Sequence, residues 1–142
     1  MFKTILVAVD GSGHAKNAVR YAADLAKTYG AALVLLAVDG QRPLAAPLSE
    51  LAQSEDLSRS EIFRRILSSA LALAEVSSDL EVECLVCDGD PGDEILAQAE
   101  RLGADLIVIG SRGLGAYAEL LLGSVSRKVL HLAKVPVMVV RG

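Results

Sequence analysis

The stretch ILVAVDGSG at residues 5–13 begins a pattern of alternating strands and helices that continues along the chain. Its first five residues form an unbroken apolar run, which predicts a short buried strand, and residues 10–13 favour a tight turn. Ser12 is expected to cap a helix, because the segment after it is rich in alanine and repeats apolar side chains at helical spacing. Gly30 is expected to end that helix. The stretch therefore predicts a strand, a turn and a helix in succession.

The same alternation of strand and helix patterns continues to the end of the chain. Further strands are expected at residues 33–38, 80–87, 106–109 and 137–140. Helices are expected at about 50–76 (with Ser58-Arg59-Ser60 as a candidate break), at 93–102 before Gly103 and at about 123–132, while residues 39–49 are expected to form a loop. Strands that alternate with helices predict one parallel sheet with right-handed crossovers and helices on both faces.

The composition fits this interpretation and argues against some partners. Hydrophobic residues make up 52% of the 142 residues, aromatic residues only 4%, and tryptophan is absent. A core of aliphatic side chains is typical of parallel sheets covered by helices. The net charge is −4, with 14 Lys and Arg against 18 Asp and Glu and no long basic run, which argues against a nucleic-acid partner.

No apolar run approaches the roughly 20 residues of a membrane span, and the N-terminal apolar stretch is too short for a signal peptide. We therefore expect a soluble, cytoplasmic chain with no membrane partner, consisting of a single domain over residues 1–142.

The two cysteines, Cys84 and Cys87, invite a redox or metal interpretation. They lie in a predicted strand, where a rise of about 3.3 Å per residue would separate their Cα atoms by about 10 Å, too far for a disulfide. We expect structural thiols in a reducing compartment. His14 and His131 have no companion ligand at metal-binding spacing, so no metal site is expected.

The loop after the fourth strand carries the strongest sequence indication of binding. Glycines at 110, 113, 115 and 123 allow backbone N–H groups to approach a ligand, and the helix that opens at Gly123-Ser124 favours an anion at its N-terminus. The loop is not a Walker A motif, because no lysine precedes Ser124, and it does not form G-x-G-x-x-G. On these grounds alone, phosphate binding and simple helix capping by Ser124 both remain open.

The spacing of these residues resembles a known family. Gly110, Gly113 and Gly123-Ser124 match the ATP-binding pattern G-x2-G-x9-G-S/T of the universal stress proteins. The opening ILVAVDGS and the closing segment from Ser124-Val125 to PVMVVR also resemble that family, so the similarity covers essentially the whole chain. The fold expected is therefore α/β: a Rossmann-like, open twisted sheet of five parallel strands in the order 3-2-1-4-5.

The resemblance implies a role for each matching position. Asp10 would accept hydrogen bonds from the ribose hydroxyls, and Gly110 would lie under the ribose. Arg112 would either reach the phosphates or be solvated. The adenine slot would be lined by Ala8, Val9 and Val38, and the phosphates would be cradled by Gly113, Gly123, Ser124, Val125 and Ser126. Mg²⁺ would bridge the phosphate oxygens with few protein ligands.

The expected function is ATP binding by a stress-response regulator or sensor, at the point where strands 1 and 4 adjoin. No catalytic constellation is recognisable, so at most weak ATP hydrolysis is expected, and a slow ATPase is one alternative. The other alternative is a dimeric interaction module that takes no nucleotide, since Glu119 would place a carboxylate within the loop. Val137–Val140 would be an apolar sheet edge, so a homodimer through that strand is expected.

Overall fold

A five-stranded parallel sheet forms the centre of the protein. The computed structural model describes residues 1–75, 79–112 and 122–142. The strands are β1 (Thr4–Ala8), β2 (Ala32–Asp39), β3 (Val82–Asp88), β4 (Leu106–Gly110) and β5 (Val137–Val140). They lie in the order β3-β2-β1-β4-β5, and every neighbouring pair is parallel. The predicted Rossmann-like sheet and its strand order are confirmed.

Helices cover both faces of the sheet. They are α1 (Gly13–Tyr29), α2 (Ala46–Ser54), α3 (Arg59–Ala74), α4 (Pro91–Leu102) and α5 (Ser124–Leu132). On one face α1 packs beside α3, and on the other α4 packs beside α5. Gly30 and Gly103 follow α1 and α4 in the left-handed conformation, with φ of 65° and 64°, so both predicted helix ends are confirmed.

The alternation of side chains along β1 divides the core in two. Ile5 and Val7 are fully buried against α1 and α3, whereas Leu6 is fully buried on the face that α4 and α5 cover. Both faces of the central strand are therefore apolar, as expected for a parallel sheet with helices on both sides.

The segment between β2 and β3 differs from the prediction. The loop expected over residues 39–49 ends earlier, because α2 begins at Ala46 with Pro47 in its first turn, a position that suits proline. The candidate break near residues 58–60 is confirmed, and it separates two helices. Ser58 and Glu61 form a capping box, in which the Ser58 N–H donates to Glu61 Oε2 (2.8 Å) and the Glu61 N–H donates to Ser58 Oγ (3.2 Å).

Other boundaries shift by one or two residues. The third strand begins at Val82, not at residue 80, and α4 begins at Pro91, not at residue 93. The predicted end of the long helix at Val76 lies outside the described residues. The thiols of Cys84 and Cys87 are both free on β3, as expected.

Candidate functional site

The carboxyl ends of β1 and β4 lie side by side in the middle of the sheet. Val7 pairs with Val108, and β2 lies on the other side of β1. The connections that leave β1 and β4 therefore diverge to opposite faces and leave a crevice between them, as in other open α/β sheets. A cleft of about 680 Å³ opens at this point, a volume typical of small-molecule sites.

Almost all the residues predicted from the sequence meet in this cleft. Those that line it are Ala8, Val9, Asp10, Val38, Gly110, Arg112, Gly123, Ser124, Val125 and Ser126. Gly113, the remaining predicted residue, lies outside the described residues, as does Glu119. The other apolar lining comes from strand ends, the loop after β2, and helices α2, α3 and α4; it includes Leu36, Pro43, Leu44, Leu48, Phe63, Ile95 and Ile109.

Asp10 forms the turn that leads from β1 into α1. Its Oδ1 accepts the N–H of Ser12 at 2.9 Å, and Ser12 Oγ accepts the N–H of Ala15 at 3.1 Å. Ser12 is therefore the N-cap of α1, as predicted, and its side chain is buried. Asp10 is half-buried and lines the cleft while its carboxylate holds this turn.

The start of α5 is tied to the end of β4. The Gly123 N–H donates to the Ser111 carbonyl at 2.7 Å, and the Ser126 hydroxyl donates to the Gly110 carbonyl at 2.6 Å. The Ser126 hydroxyl is thus bonded within the protein, and the part predicted for Ser126 in cradling a phosphate stays a prediction. The backbone N–H groups of Ser124, Val125 and Ser126 have no partner within the helix, since they belong to its first turn. An anion in the cleft would meet these amides and the positive end of the helix dipole.

Gly110 has a packing reason to be glycine. A Cβ added there would lie 2.8 Å from the Cβ of His14 and 3.0 Å from the Ala15 nitrogen. The first turn of α1 therefore crosses the end of β4 at backbone contact distance. This close approach brings α1, β4 and α5 together at the cleft.

Residues 1–141 match the family model of the universal stress proteins. The chain belongs to the universal stress protein family. This confirms the resemblance inferred from the spacing of the glycines and from the two ends of the sequence.

Similar proteins span nearly the same length. The universal stress protein encoded in the QAH/OAS sulfhydrylase 3′ region of Thermus aquaticus is 42% identical, over 99% of this chain and 100% of its own. Universal stress protein YxiE of Bacillus subtilis (strain 168) is 34% identical, over 99% of this chain and 100% of its own. Among solved structures, a universal stress protein in complex with cAMP is 28% identical with a TM-score of 0.72, and the alignment covers 99% of this chain and 97% of that one.

In this universal stress protein, the cleft is more basic than the chain as a whole. Among the described residues that line the cleft, Asp10 is the one acidic side chain. The lining also contains four arginines: Arg42, Arg59, Arg112 and Arg127. The net charge of the chain is −4. The local field at the cleft therefore favours an anion although the overall charge does not.

Three of these arginines were not predicted from the sequence. Arg42 lies in the loop after β2, Arg59 is the first residue of α3, and Arg127 is in the first turns of α5. For one of them the sequence did contain an indication of its position, because residues directly after a parallel strand lie at the carboxyl edge of the sheet. That argument would have included Arg42.

Arg59 is held by the end of β2. Its Nε donates to both carboxylate oxygens of Asp39 at 2.9 Å, its Nη2 donates to Oδ1 at 2.6 Å, and its guanidinium lies 5.8 Å from the centre of the Phe63 ring. The hydrogen bonds from Arg59 hold the pKa of Asp39 below its usual value. Because its charge is paired, Arg59 contributes less to the cleft field than its position suggests.

Lys128 joins α5 to the start of α4. Its Nζ lies 2.7 Å from Asp93 Oδ1 and 3.0 Å from Asp90 Oδ2, and these hydrogen bonds raise its pKa. Asp90 also caps α4 by accepting the N–H of Asp93 at 3.0 Å. The two helices on this face are thereby held together beside the cleft.

Within residues 1–75, 79–112 and 122–142, no group of three or more His, Cys, Asp or Glu side chains is arranged to hold a metal ion. In the same residues, no helix has both the length and the apolar character needed to span a bilayer.

Proposed function

We propose that this universal stress protein binds ATP in the cleft between β1 and β4 and acts as a stress-response regulator or sensor. The observation that carries the proposal is the convergence of an apolar slot, a strand-end carboxylate and a helix N-terminus on one cleft. These three features suit the base, the ribose and the phosphates of a nucleotide. The base would therefore lie toward the ends of β1 and β2, and the phosphates would lie toward the start of α5.

The apolar end suits an adenine ring. Ala8, Val38 and Ile95 line the cleft near the sheet, and their small or aliphatic side chains leave room for a flat group. Asp10, two residues after β1, would accept hydrogen bonds from the ribose hydroxyls. The alternation of apolar and polar lining is typical of sites that bury most of a small ligand.

The opposite end suits phosphates. The first-turn amides of Ser124, Val125 and Ser126 are donors, and Arg112 and Arg127 add positive charge. Mg²⁺ fits this arrangement in the manner usual for nucleotides, with most of its ligands from phosphate oxygens and water. The Ser124 hydroxyl, at the start of α5, is a lining group at this end that would add an oxygen ligand. The ion would neutralise part of the phosphate charge.

A relative supports an adenine nucleotide in particular. The universal stress protein solved in complex with cAMP shares the fold over nearly the whole of both chains. A cyclic monophosphate would occupy the base and ribose positions and less of the phosphate end. The first-turn amides of α5 together with Arg112 and Arg127 offer more donors than a monophosphate would use, which favours a triphosphate for this chain.

Calorimetric titration of the nucleotide-stripped protein with ATP and Mg²⁺ tests the proposal. One saturable site per chain is expected, weakened by about tenfold in Arg127→Ala through loss of one charge-assisted contact. Arg101→Ala is the matched control, because Arg101 lies in the last turn of α4, away from the cleft lining, and should leave the affinity unchanged. Absence of binding up to millimolar ATP would refute the proposal. Phosphate release measured on the same samples would separate a regulator from a slow ATPase.

We also propose that the protein is a cytoplasmic homodimer formed through β5. Val137, Met138 and Val139 are half-buried on this edge strand, and Leu132 nearby is 58% exposed. An apolar edge of this kind is commonly covered by a partner. Light scattering that gives twice the 14.9 kDa mass is expected, and a charged Val139→Lys variant should be monomeric.

A further inference from the structure

His14 contacts Arg112, one of the two arginines at the phosphate end of the cleft. Its Nδ1 is 2.7 Å from Ser111 Oγ, and its Nε2 is 3.0 Å from Arg112 Nη2. Arg112 belongs to the cleft lining and His14 does not. No role was predicted for His14, because it has no partner at metal-binding spacing. The structure places it second in a chain that runs from Ser111 through the imidazole to the guanidinium.

The bonding pattern determines the tautomer of His14. A guanidinium can only donate hydrogen bonds, so the Nε2 atom that faces Arg112 must accept one and carries no hydrogen. The hydrogen of the imidazole that faces Ser111 therefore lies on Nδ1, which donates it to the Ser111 oxygen. This order also excludes a nucleophile and base pair, because an Nδ1 that holds a hydrogen cannot take one from Ser111.

The imidazole is half-buried and lies against the backbone of two glycines. A Cβ added at Gly142 would lie 2.4 Å from His14 Nε2, and one added at Gly110 would lie 2.8 Å from His14 Cβ. The backbone of both glycines thus packs against this side chain. Ser111, its other partner, is only 7% exposed. Contacts with Ser111 and with these two glycines therefore support the acceptor that faces Arg112 in the absence of a ligand.

We propose that His14 is a positioning residue that holds the Arg112 guanidinium on the cleft wall, ready for a ligand phosphate. The inference rests on the proposed nucleotide function. A free arginine would lose side-chain freedom when it meets a phosphate, and the bond to His14 removes part of that cost in advance. Loss of the acceptor at Nε2 should weaken ATP binding by about three- to tenfold, the effect of ordering one flexible side chain.

Two substitutions separate this role from a structural one. In His14→Gln the side-chain amide oxygen can reach the position of Nε2, whereas in His14→Asn the shorter amide reaches only the position of Nδ1. Positioning of Arg112 predicts near-parental ATP affinity for the glutamine variant and a three- to tenfold loss for the asparagine variant. Support of Ser111 alone predicts the reverse order, and that result, or equal affinity of both variants and the parent, would overturn the proposal.

The Arg112→Ala background provides the coupling test. There the asparagine and glutamine variants should bind ATP equally, because the residue through which His14 acts is gone. A persistent difference between them would contradict the proposal. Urea midpoints of all variants establish that each is folded under the titration conditions.

A measurement without nucleotide keeps the two proposals distinguishable. A long-range ¹⁵N–¹H spectrum of the imidazole in the nucleotide-free protein should show the hydrogen of His14 on Nδ1 in the parent, and this preference should weaken in Arg112→Ala. A parent imidazole with its hydrogen on Nε2 would overturn the positioning role. If the parent binds no ATP while the Nδ1 tautomer is found, the proposed function fails but the bond between His14 and Arg112 stands.

Discussion

The hydroxyl of Ser126 donates to the carbonyl oxygen of Gly110 over 2.6 Å and thereby joins the first turn of α5 to the last residue of β4. Ser126 is 2% exposed. The bond crosses the base of the connection whose ends, Ser111 and Gly123, are also hydrogen-bonded to each other. The position of the α5 amides relative to the sheet therefore depends on one buried side chain.

Ser126→Ala should destabilise the protein by about 1–3 kcal/mol, because the Gly110 carbonyl loses its buried donor. Urea denaturation followed by circular dichroism would measure the change in the free energy of unfolding. Ser124→Ala is the control, since Ser124 is exposed and the N-cap of α5 is Gly123, and it should change stability little. Equal effects of the two substitutions would show that the Ser126 bond does not stabilise the fold.

Gly110→Ala should cost about 1–3 kcal/mol, because its Cβ would lie 2.8 Å from His14 Cβ and 2.9 Å from the His14 carbonyl carbon. The obstacle is largely backbone, which cannot turn aside. Gly13→Ala is the matched control, since a Cβ there meets nothing within 4 Å and the residue begins α1. Its expected effect is neutral or stabilising by up to about 1 kcal/mol. Thermal unfolding of both variants and the parent would measure these changes in stability. An unchanged melting temperature for Gly110→Ala would contradict the close packing of α1 on β4.

Removal of the carboxylate in Asp39→Asn should lower stability by about 1 kcal/mol at pH 7, through loss of the partly exposed pair with Arg59. Because the pKa of Asp39 is held below its usual value, this contribution is complete above the unfolded pKa of about 3.9. It is lost as pH falls through the folded pKa. The difference in urea midpoint between parent and variant should therefore be constant from pH 7 to about 5 and shrink below about pH 4.

Asp24→Asn, an exposed position on α1, is the control for this series. The difference in urea midpoint between Asp24→Asn and the parent should not shrink as the pH falls. A gap between Asp39→Asn and the parent that widened as pH fell would have the wrong sign for a carboxylate stabilised by Arg59.

Both thiols should react slowly with a disulfide reagent at pH 7. Burial raises the pKa of Cys84 and of Cys87, with further increases from Glu75 and Glu83 at the first and from Glu94 at the second, so little thiolate is present. The rate should rise with pH beyond 8, and two thiols per chain should be counted after unfolding. Cys87→Ser isolates the exposed Cys84. A rapid reaction at pH 7 in that variant would contradict the raised pKa of Cys84.

The sequence predicted the sheet well because its signals were local or followed general rules. The run at residues 5–9 marked β1, Ser12 marked the start of α1, and Gly30 marked its end. The boundary at Ala46 was missed because a loop with prolines and a helix that begins near a proline have similar composition. Only contact with the rest of the protein distinguishes them.

The candidate site was predicted less completely than the fold. Asp10 follows β1, Val38 lies near the end of β2 and Ser124 begins α5, and the family resemblance implied a role for each. The bond from Ser126 to Gly110 spans 16 residues, and that from Arg112 to His14 spans 98. No spacing rule relates side chains so far apart, so the roles of Ser126 and His14 emerge only when the sheet is assembled.

Residue-level mapping of ATP binding tests the central claim most directly. Backbone amide spectra of ¹⁵N-labelled, nucleotide-stripped protein would be recorded during titration with ATP and Mg²⁺. Saturable shifts are predicted for Val9, Val38 and Ser124–Ser126, with little change along the outer strand β3 at residues 82–86. Shifts confined to other surfaces, or no saturable shifts up to millimolar ATP, would contradict nucleotide binding in the cleft between β1 and β4.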